Sequence, residues 1–255
     1  MEERSTRRPR LSDSVVSALA AEIISGRIAA GAMLETEPRL CDRFGVSRTT
    51  VREAVARLAR NGLVRVRQGA GTVVLDRSHW DDLDPELLRI RTNTGLIGDL
   101  VADVLAIRRL IEVEVAGQAA GRRDDADIAR LLRSIDGMEA TLDDPVAYSG
   151  GDVAFHEALI AAGGNDLLRQ MMRPVNQIRR IGSVLTTSRD PALIAVSMAA
   201  HRAIFAAVVA GDAEAARGAM AAHLDQFERD ISDALTTASP RSLEALARVP
   251  VAAGR

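Results

Sequence analysis

From Thr94 to Leu235 apolar residues recur at helical spacing almost without interruption, a periodicity that α-helices satisfy and strands do not. The pattern is cut at Gly121, at Asp143-Asp144-Pro145, at Gly163-Gly164-Asn165, at Asp190-Pro191 and at Gly211-Asp212. These residue types start or stop helices. The breaks predict six helices, and hence an all-helical bundle over residues 94–237. A chain of 255 residues, 47% of them apolar, can bury a core of that size.

Ahead of the bundle the pattern is shorter and mixed. Leu11, Val15, Val16, Leu19 and Ile23 predict a first helix, closed by Gly26 and Gly31. Thr36 stands where it can cap a second helix carrying Leu40 and Phe44, Gly45 breaks it, and Ser47 caps a third whose Val51, Val55 and Leu58 face inward. After Asn61-Gly62, the runs Leu63–Arg67 and Thr72–Leu75 read as short strands joined by Gln68-Gly69-Ala70-Gly71. Residues 1–76 are therefore expected to form a small domain of three helices and a two-stranded wing. Residues 77–93 hold Trp80 and Pro85 without a long regular pattern and are read as a linker. Residues 238–255, rich in Ala, Arg, Pro and Ser, are read as a disordered tail.

Charge separates the two parts. Residues 1–75 carry 13 Arg against 8 acidic residues, whereas the rest carries 20 Arg against 27, and every basic residue is Arg. A basic head on an acidic body points to a polyanionic partner for the head alone. Only 2% of residues are aromatic, which removes the usual stacking platforms for single strands and leaves duplex DNA. The single cysteine, Cys41, forms neither an internal disulfide nor a paired thiolate site. No apolar run approaching the roughly 20 residues of a membrane span is read in the sequence, and Met1–Arg10 is charged without a following signal segment. The expected compartment is the cytoplasm, with no membrane partner.

Within the third helix Arg48 and Arg52 lie four apart, with Thr49 beside them, opposite the Val51/Val55/Leu58 stripe. Such a helix fits a major groove, where guanidinium groups meet guanine edges or phosphates. Ser47 and Thr50 can add phosphate hydrogen bonds, and Gln68 and Gly69 at the wing tip can approach the backbone. The alternative reading of the arginines is a solvated helix face. The stretch Gly45-Val46-Ser47-Arg48-Thr49-Thr50-Val51-Arg52-Glu53-Ala54, with Leu58, Gly62-Leu63-Val64 and Gly69-Ala70-Gly71-Thr72-Val73-Val74, resembles the winged helix-turn-helix head of the GntR family of bacterial transcription regulators. The resemblance implies DNA contacts by Arg48, Thr49 and Arg52, helped by Ser47, Thr50, Gln68 and Gly69. It departs from the family at Glu37-Pro38-Arg39, where members often carry a DNA-contacting Arg after Glu. Arg39 is the candidate substitute.

The bundle segment places polar residues on apolar stripes: His156 beside Phe155, Leu159 and Ile160; His201 beside Ile204, Phe205 and Val208; His223 beside Met220, Leu224 and Phe227. Asp152 precedes His156 by one helical turn and shares its face. Three imidazoles and a carboxylate that converge can hold a divalent metal, with zinc, nickel, copper or iron preferred over magnesium or calcium. Read singly, each histidine is a hydrogen-bonded core residue. Arg108 shares an apolar face with Glu112 one turn on, and either pairs with it or grips a ligand carboxylate. Asn165 is a helix cap or a cavity-lining residue.

Arg108-Arg109-Leu110-Ile111-Glu112, Asp152-Val153-Ala154-Phe155-His156, Gly164-Asn165, His201 and His223 resemble the all-helical FCD effector domain of the FadR subgroup of GntR regulators. That resemblance implies that Asp152, His156, His201 and His223 hold a metal, usually zinc or nickel, and that Arg108 fixes a small carboxylate on it. The segment Trp80–Leu88 is similar to that of sugar-acid regulators such as those for galactonate or gluconate. The overall expectation is a mainly α protein, a winged helix-turn-helix domain followed by an FCD-like bundle. Functionally it is a homodimeric repressor of palindromic operator DNA, released by a small carboxylate such as a sugar acid or hydroxy acid.

Three other functions fit parts of this pattern. A metal-dependent hydrolase would use the same His-rich site, with Glu112 as the only candidate base. A metal sensor would need no organic effector. A metal-free sensor of acyl thioesters is disfavoured by three inward histidines.

Overall fold

The computed structural model describes residues 11–67 and 69–236. The expected tail at 238–255, the expected wing contact Gln68 and residues 1–10 lie outside the described residues. The chain divides after Leu96 into two compact units.

The first unit holds α1 (Leu11–Ile24), α2 (Glu37–Phe44), α3 (Arg48–Arg60), β1 (Val64–Arg67), β2 (Gly71–Val74) and α4 (Pro85–Thr94). Thr36 occupies the N-cap of α2 in extended conformation but makes no side-chain cap hydrogen bond. Pro38 fits the first turn because an amide there has no intrahelical partner. Gly45 ends α2 at φ 63°, the left-handed region in which a side chain is strained. Ser47 starts α3 by accepting from the Thr50 amide at 3.2 Å. The core joins Val15, Val16, Leu19 and Ile23 of α1 to Leu40, Val51, Ala54 and Leu58. The wing is antiparallel, with Val64 opposite Val74 and Arg67 opposite Gly71. It has a further edge, since the Leu34 amide donates to the Thr72 carbonyl at 2.8 Å and the Val74 amide to the Ala32 carbonyl at 2.9 Å.

The segment 77–93 differs from the irregular linker expected of it. Asp84 caps α4 through the amides of Glu86 and Leu87, and Leu87 and Ile90 enter the head core. Trp80 lies against that core and donates from its indole to the Leu75 carbonyl at 3.2 Å. Arg91 pairs with Asp82 at 2.6 Å and stacks over Trp80. Gly62 seats this segment: at φ 73° a Cβ there would stand 1.9 Å from the His79 carbonyl oxygen. Ten residues make too short a helix for periodicity to announce, and packing on α1 stabilises it.

The second unit consists of six helices among the described residues: α5 (Gly98–Arg122), α6 (Asp125–Glu139), α7 (Pro145–Ala162), α8 (Asp166–Arg189), α9 (Ala192–Ala210) and α10 (Ala213–Thr236). Helix α5 packs on α10 and α7, α6 on α7, α7 on α8, and α9 on α10. The first break falls at Arg123–Asp124, because Asp124 and Asp127 form a capping box there, while α5 runs on through Gly121. Helix α9 corrects one expectation. Its 19 residues, at a mean hydropathy of 1.9, are long and apolar enough by length and composition to cross a membrane. In the bundle it turns Ile194, Met198, His201, Ile204 and Val208 inward.

Candidate functional site

In the head, Arg48, Thr49 and Arg52 are exposed along one side of α3, and Arg39 is exposed at the start of α2. Arg52 is not free of partners: its Nε donates to Glu37 at 2.9 and 3.1 Å, while its side chain stays 69% exposed. Ser47 and Thr50 hydroxyls lie 2.9 Å apart, so each is already engaged by the other. Gly69 is exposed at the wing tip, and it lines one groove together with Arg52 and Arg67. Arg65 and Arg67 project from the exposed β1 and were not singled out from sequence, although alternating arginines on a two-stranded wing were the available signal. Arg57, by contrast, is a structural brace: its guanidinium reaches Ser12, Asp13 and Glu86, tying α3 to α1 and α4.

In the bundle, α7 brings Asp152 and His156, α9 brings His201 and α10 brings His223 to one buried point. One ligand atom from each lies within 4.8 Å of all the others. His201 Nδ1 stands 2.8 Å from the Ser197 carbonyl. A carbonyl only accepts, so that nitrogen carries the proton and Nε2 presents a lone pair. That lone pair faces Asp152 Oδ1 at 3.1 Å, and Nε2 has no hydrogen-bond donor. His156 Nε2, 3.8 Å from the same carboxylate, is likewise without a hydrogen bond. Two acceptors held together in a buried place are costly unless a cation joins them. A satisfied core histidine does not describe either residue, and the donor set of three imidazoles and one carboxylate fits a divalent transition metal. Burial pushes His156 down to about 4, with Arg179 adding to the effect. Burial and the neighbouring His201 and His156 hold His223 well below its usual value. Burial alone would raise the Asp152 carboxyl, but the adjacent His201, His156 and Arg179 keep it below the usual carboxylate range. Asp152, His156 and His223 are thus held in the deprotonated forms that metals require.

Behind this cluster lies a buried charge network. Arg108 Nε donates to Glu112 Oε1 at 2.9 Å, Arg179 donates to the same carboxylate, and His156 Nδ1 lies 2.8 Å from it without hydrogen-bond alignment. Despite burial, Arg108, Arg179 and His156 hold the Glu112 carboxyl well below its normal range. Arg108 therefore pairs with Glu112 and still offers an unpartnered Nη1. Arg179 offers unpartnered Nε and Nη1. Both guanidiniums line a cavity of about 220 Å³, together with Asp152 and His223. Arg179 was missed from sequence. It sits in a part of α8 that is buried all round, from Val175 to Ser188 with few gaps, and an Arg in such a stretch was the only signal. Asn165 corrects the ligand-binding expectation: it is exposed, caps α8 by accepting from the Leu168 amide at 3.0 Å, and does not line this cavity.

A helix-turn-helix head with a wing, followed by a six-helix unit holding a buried metal-competent cluster beside a cavity, describes a DNA-binding regulator with an effector domain. Residues 11–74 match the family of bacterial regulatory proteins named gntR, and residues 103–226 match the FCD domain. The HTH-type transcriptional regulator LutR of Bacillus subtilis (strain 168) is 31% identical over 222 residues, covering 82% of this chain and 96% of LutR. The galactonate operon transcriptional repressor of Escherichia coli (strain K12) is 28% identical, covering 81% of this chain and 90% of the repressor. Among solved structures, Lar, which controls expression of the Listeria monocytogenes agr system, shares the fold at a TM-score of 0.61 and 17% identity, over 89% of this chain and 99% of Lar. The chain belongs to the gntR family of transcriptional regulators and carries an FCD effector domain. An enzymatic role as a hydrolase is not favoured.

Proposed function

We propose that this protein is a repressor of the FadR type that binds a palindromic operator as a homodimer in the cytoplasm and releases it when a small carboxylate occupies the FCD cavity. The observation that carries the reading is the pair of buried guanidiniums, Arg108 and Arg179, which line a cavity together with Asp152 and His223 and each keep buried N–H groups without a partner. Buried donors without acceptors are expensive, and a carboxylate supplies acceptors in the fork geometry that guanidinium prefers. Asp152, His156, His201 and His223 would hold the metal, zinc or nickel by likeness to the FCD domain, and when bound it would supply a fixed positive charge to the ligand's carboxylate. On the DNA side, Arg48, Thr49, Arg52 and Arg39 read or neutralise the duplex, with Ser47, Thr50, Gln68 and Gly69 against the backbone. Paired heads match two half-sites related by a two-fold axis.

Metal analysis and calorimetry test this. Purified protein is expected to contain about one metal per chain and to bind at least one small carboxylate, with both properties lost in His201→Ala. Metal binding with no response to any carboxylate would leave a metal sensor as the better reading.

A further inference from the structure

Tyr148, Asp152 and His156 follow one another at intervals of one turn on a single face of α7, and Ser197 and His201 are one turn apart on α9. The two faces meet in register. Tyr148 donates from its phenol to Ser197 Oγ at 2.8 Å, and one turn further on Asp152 Oδ1 lies 3.1 Å from His201 Nε2. Helix α7 packs chiefly on α6, α8 and α5, so these side-chain bridges set how it registers with α9. Tyr148 is buried, and burial together with the nearby Asp152 pushes its hydroxyl up, which keeps it a donor. Ser197 serves His201 twice, its carbonyl standing 2.8 Å from Nδ1 and its hydroxyl 3.4 Å. Since Nδ1 carries the proton, that hydroxyl meets it with one lone pair and uses the other for Tyr148. The Phe155 ring lies edge-on to His201 at 4.9 Å and closes another side of the imidazole.

From this ladder we infer that Tyr148 is a positioning residue for the metal: acting through Ser197, it fixes the orientation of His201 and the register of α7 on α9, so that Nε2 and the Asp152 carboxylate face one another before a metal enters. The inference rests on the metal reading above and adds to it a residue that is not itself a ligand. In the metal-free protein two acceptors 3.1 Å apart repel. Turning the His201 ring, or sliding α9 along α7, would relieve that repulsion and disperse the ligands. The phenol hydrogen bond opposes both movements. A plain core tyrosine would act on stability alone, whereas outer partners of metal-bound histidines change metal affinity by about 10–100-fold, so the two roles separate by measurement.

Zinc affinity of the full chain, measured by competition with a chromophoric chelator, decides the matter, with the urea midpoint of metal-free protein as the check on folding. Tyr148→Phe is expected to weaken zinc binding about tenfold or more while the variant still unfolds cooperatively. Ser197→Ala removes the same link from the α9 side and should weaken zinc to a similar extent. The double variant should be no worse than either single one, because both substitutions break one chain of contacts. Unchanged zinc affinity in either single variant, or losses that multiply in the double variant, overturns the inference while the metal reading stands. Should Tyr148→Phe fail to fold, Ser197→Ala decides by the same criterion. Absence of zinc binding in the wild type overturns both.

Discussion

Glu112 is the residue on which the buried site is assembled, since one carboxylate serves Arg108 and Arg179 and lies beside His156. Replacing it with Ala leaves two buried guanidiniums without a counter-charge and should cost about 3–5 kcal/mol; the urea midpoint of the full chain measures the loss. Protons should act on the same place. In chelator-treated protein His156 is held at about 4, below an ordinary imidazole near 6.5. As pH falls the unfolded chain takes up that proton first, so stability is complete above roughly 6.5 and declines down to about 4. His223, also lowered, adds in the same direction, and urea midpoints measured across that range should fall steadily with pH. A flat profile would mean that the histidines are not buried neutral. At this scale much of the site was legible. Asp152 and His156 are one turn apart, and His201 and His223 stand on apolar stripes, so burial could be read from their neighbours. Arg179 could not, because it meets Glu112 from a helix 67 residues away and no local pattern encodes that contact.

At the scale of elements, the six helices of the second unit were announced by Gly, Pro and Asx breaks, because those residues act locally on φ and on the end amides. The exception is instructive: α5 ignores Gly121 and stops where Asp124 and Asp127 cap the next helix, so capping chemistry outranks a lone glycine. Helix α4 was illegible for the opposite reason. Its Leu87 and Ile90 find partners only in the folded head. Leu87→Ala should therefore destabilise the head by about 2–5 kcal/mol, and a fragment of residues 1–96 should unfold cooperatively at higher urea than one of residues 1–76. Equal midpoints would return α4 to the role of a linker. Ser47→Ala, which removes the α3 cap, should cost about 1 kcal/mol by the same assay.

On the scale of the whole molecule, a net charge of −2 conceals a basic head and an acidic remainder, a division readable from the sequence. What the sequence did not reveal is which arginines are free to act on DNA: Arg57 is consumed by Asp13 and Glu86, and Arg43 by Glu22 and Glu35. Arg48→Ala should weaken binding and lower the salt slope by about one, whereas Arg57→Ala should act through stability. The central claim is that the carboxylate site and the DNA head oppose one another, and linkage requires that the effect be reciprocal. The most direct test is the affinity of zinc-loaded protein for a duplex selected from a random-sequence pool, measured at fixed salt with and without a saturating small carboxylate that calorimetry shows to bind the wild type. The account predicts a fall of tenfold or more in wild-type protein and none in Asp152→Asn. Unchanged operator affinity in the wild type, with the carboxylate shown to be bound, would contradict it.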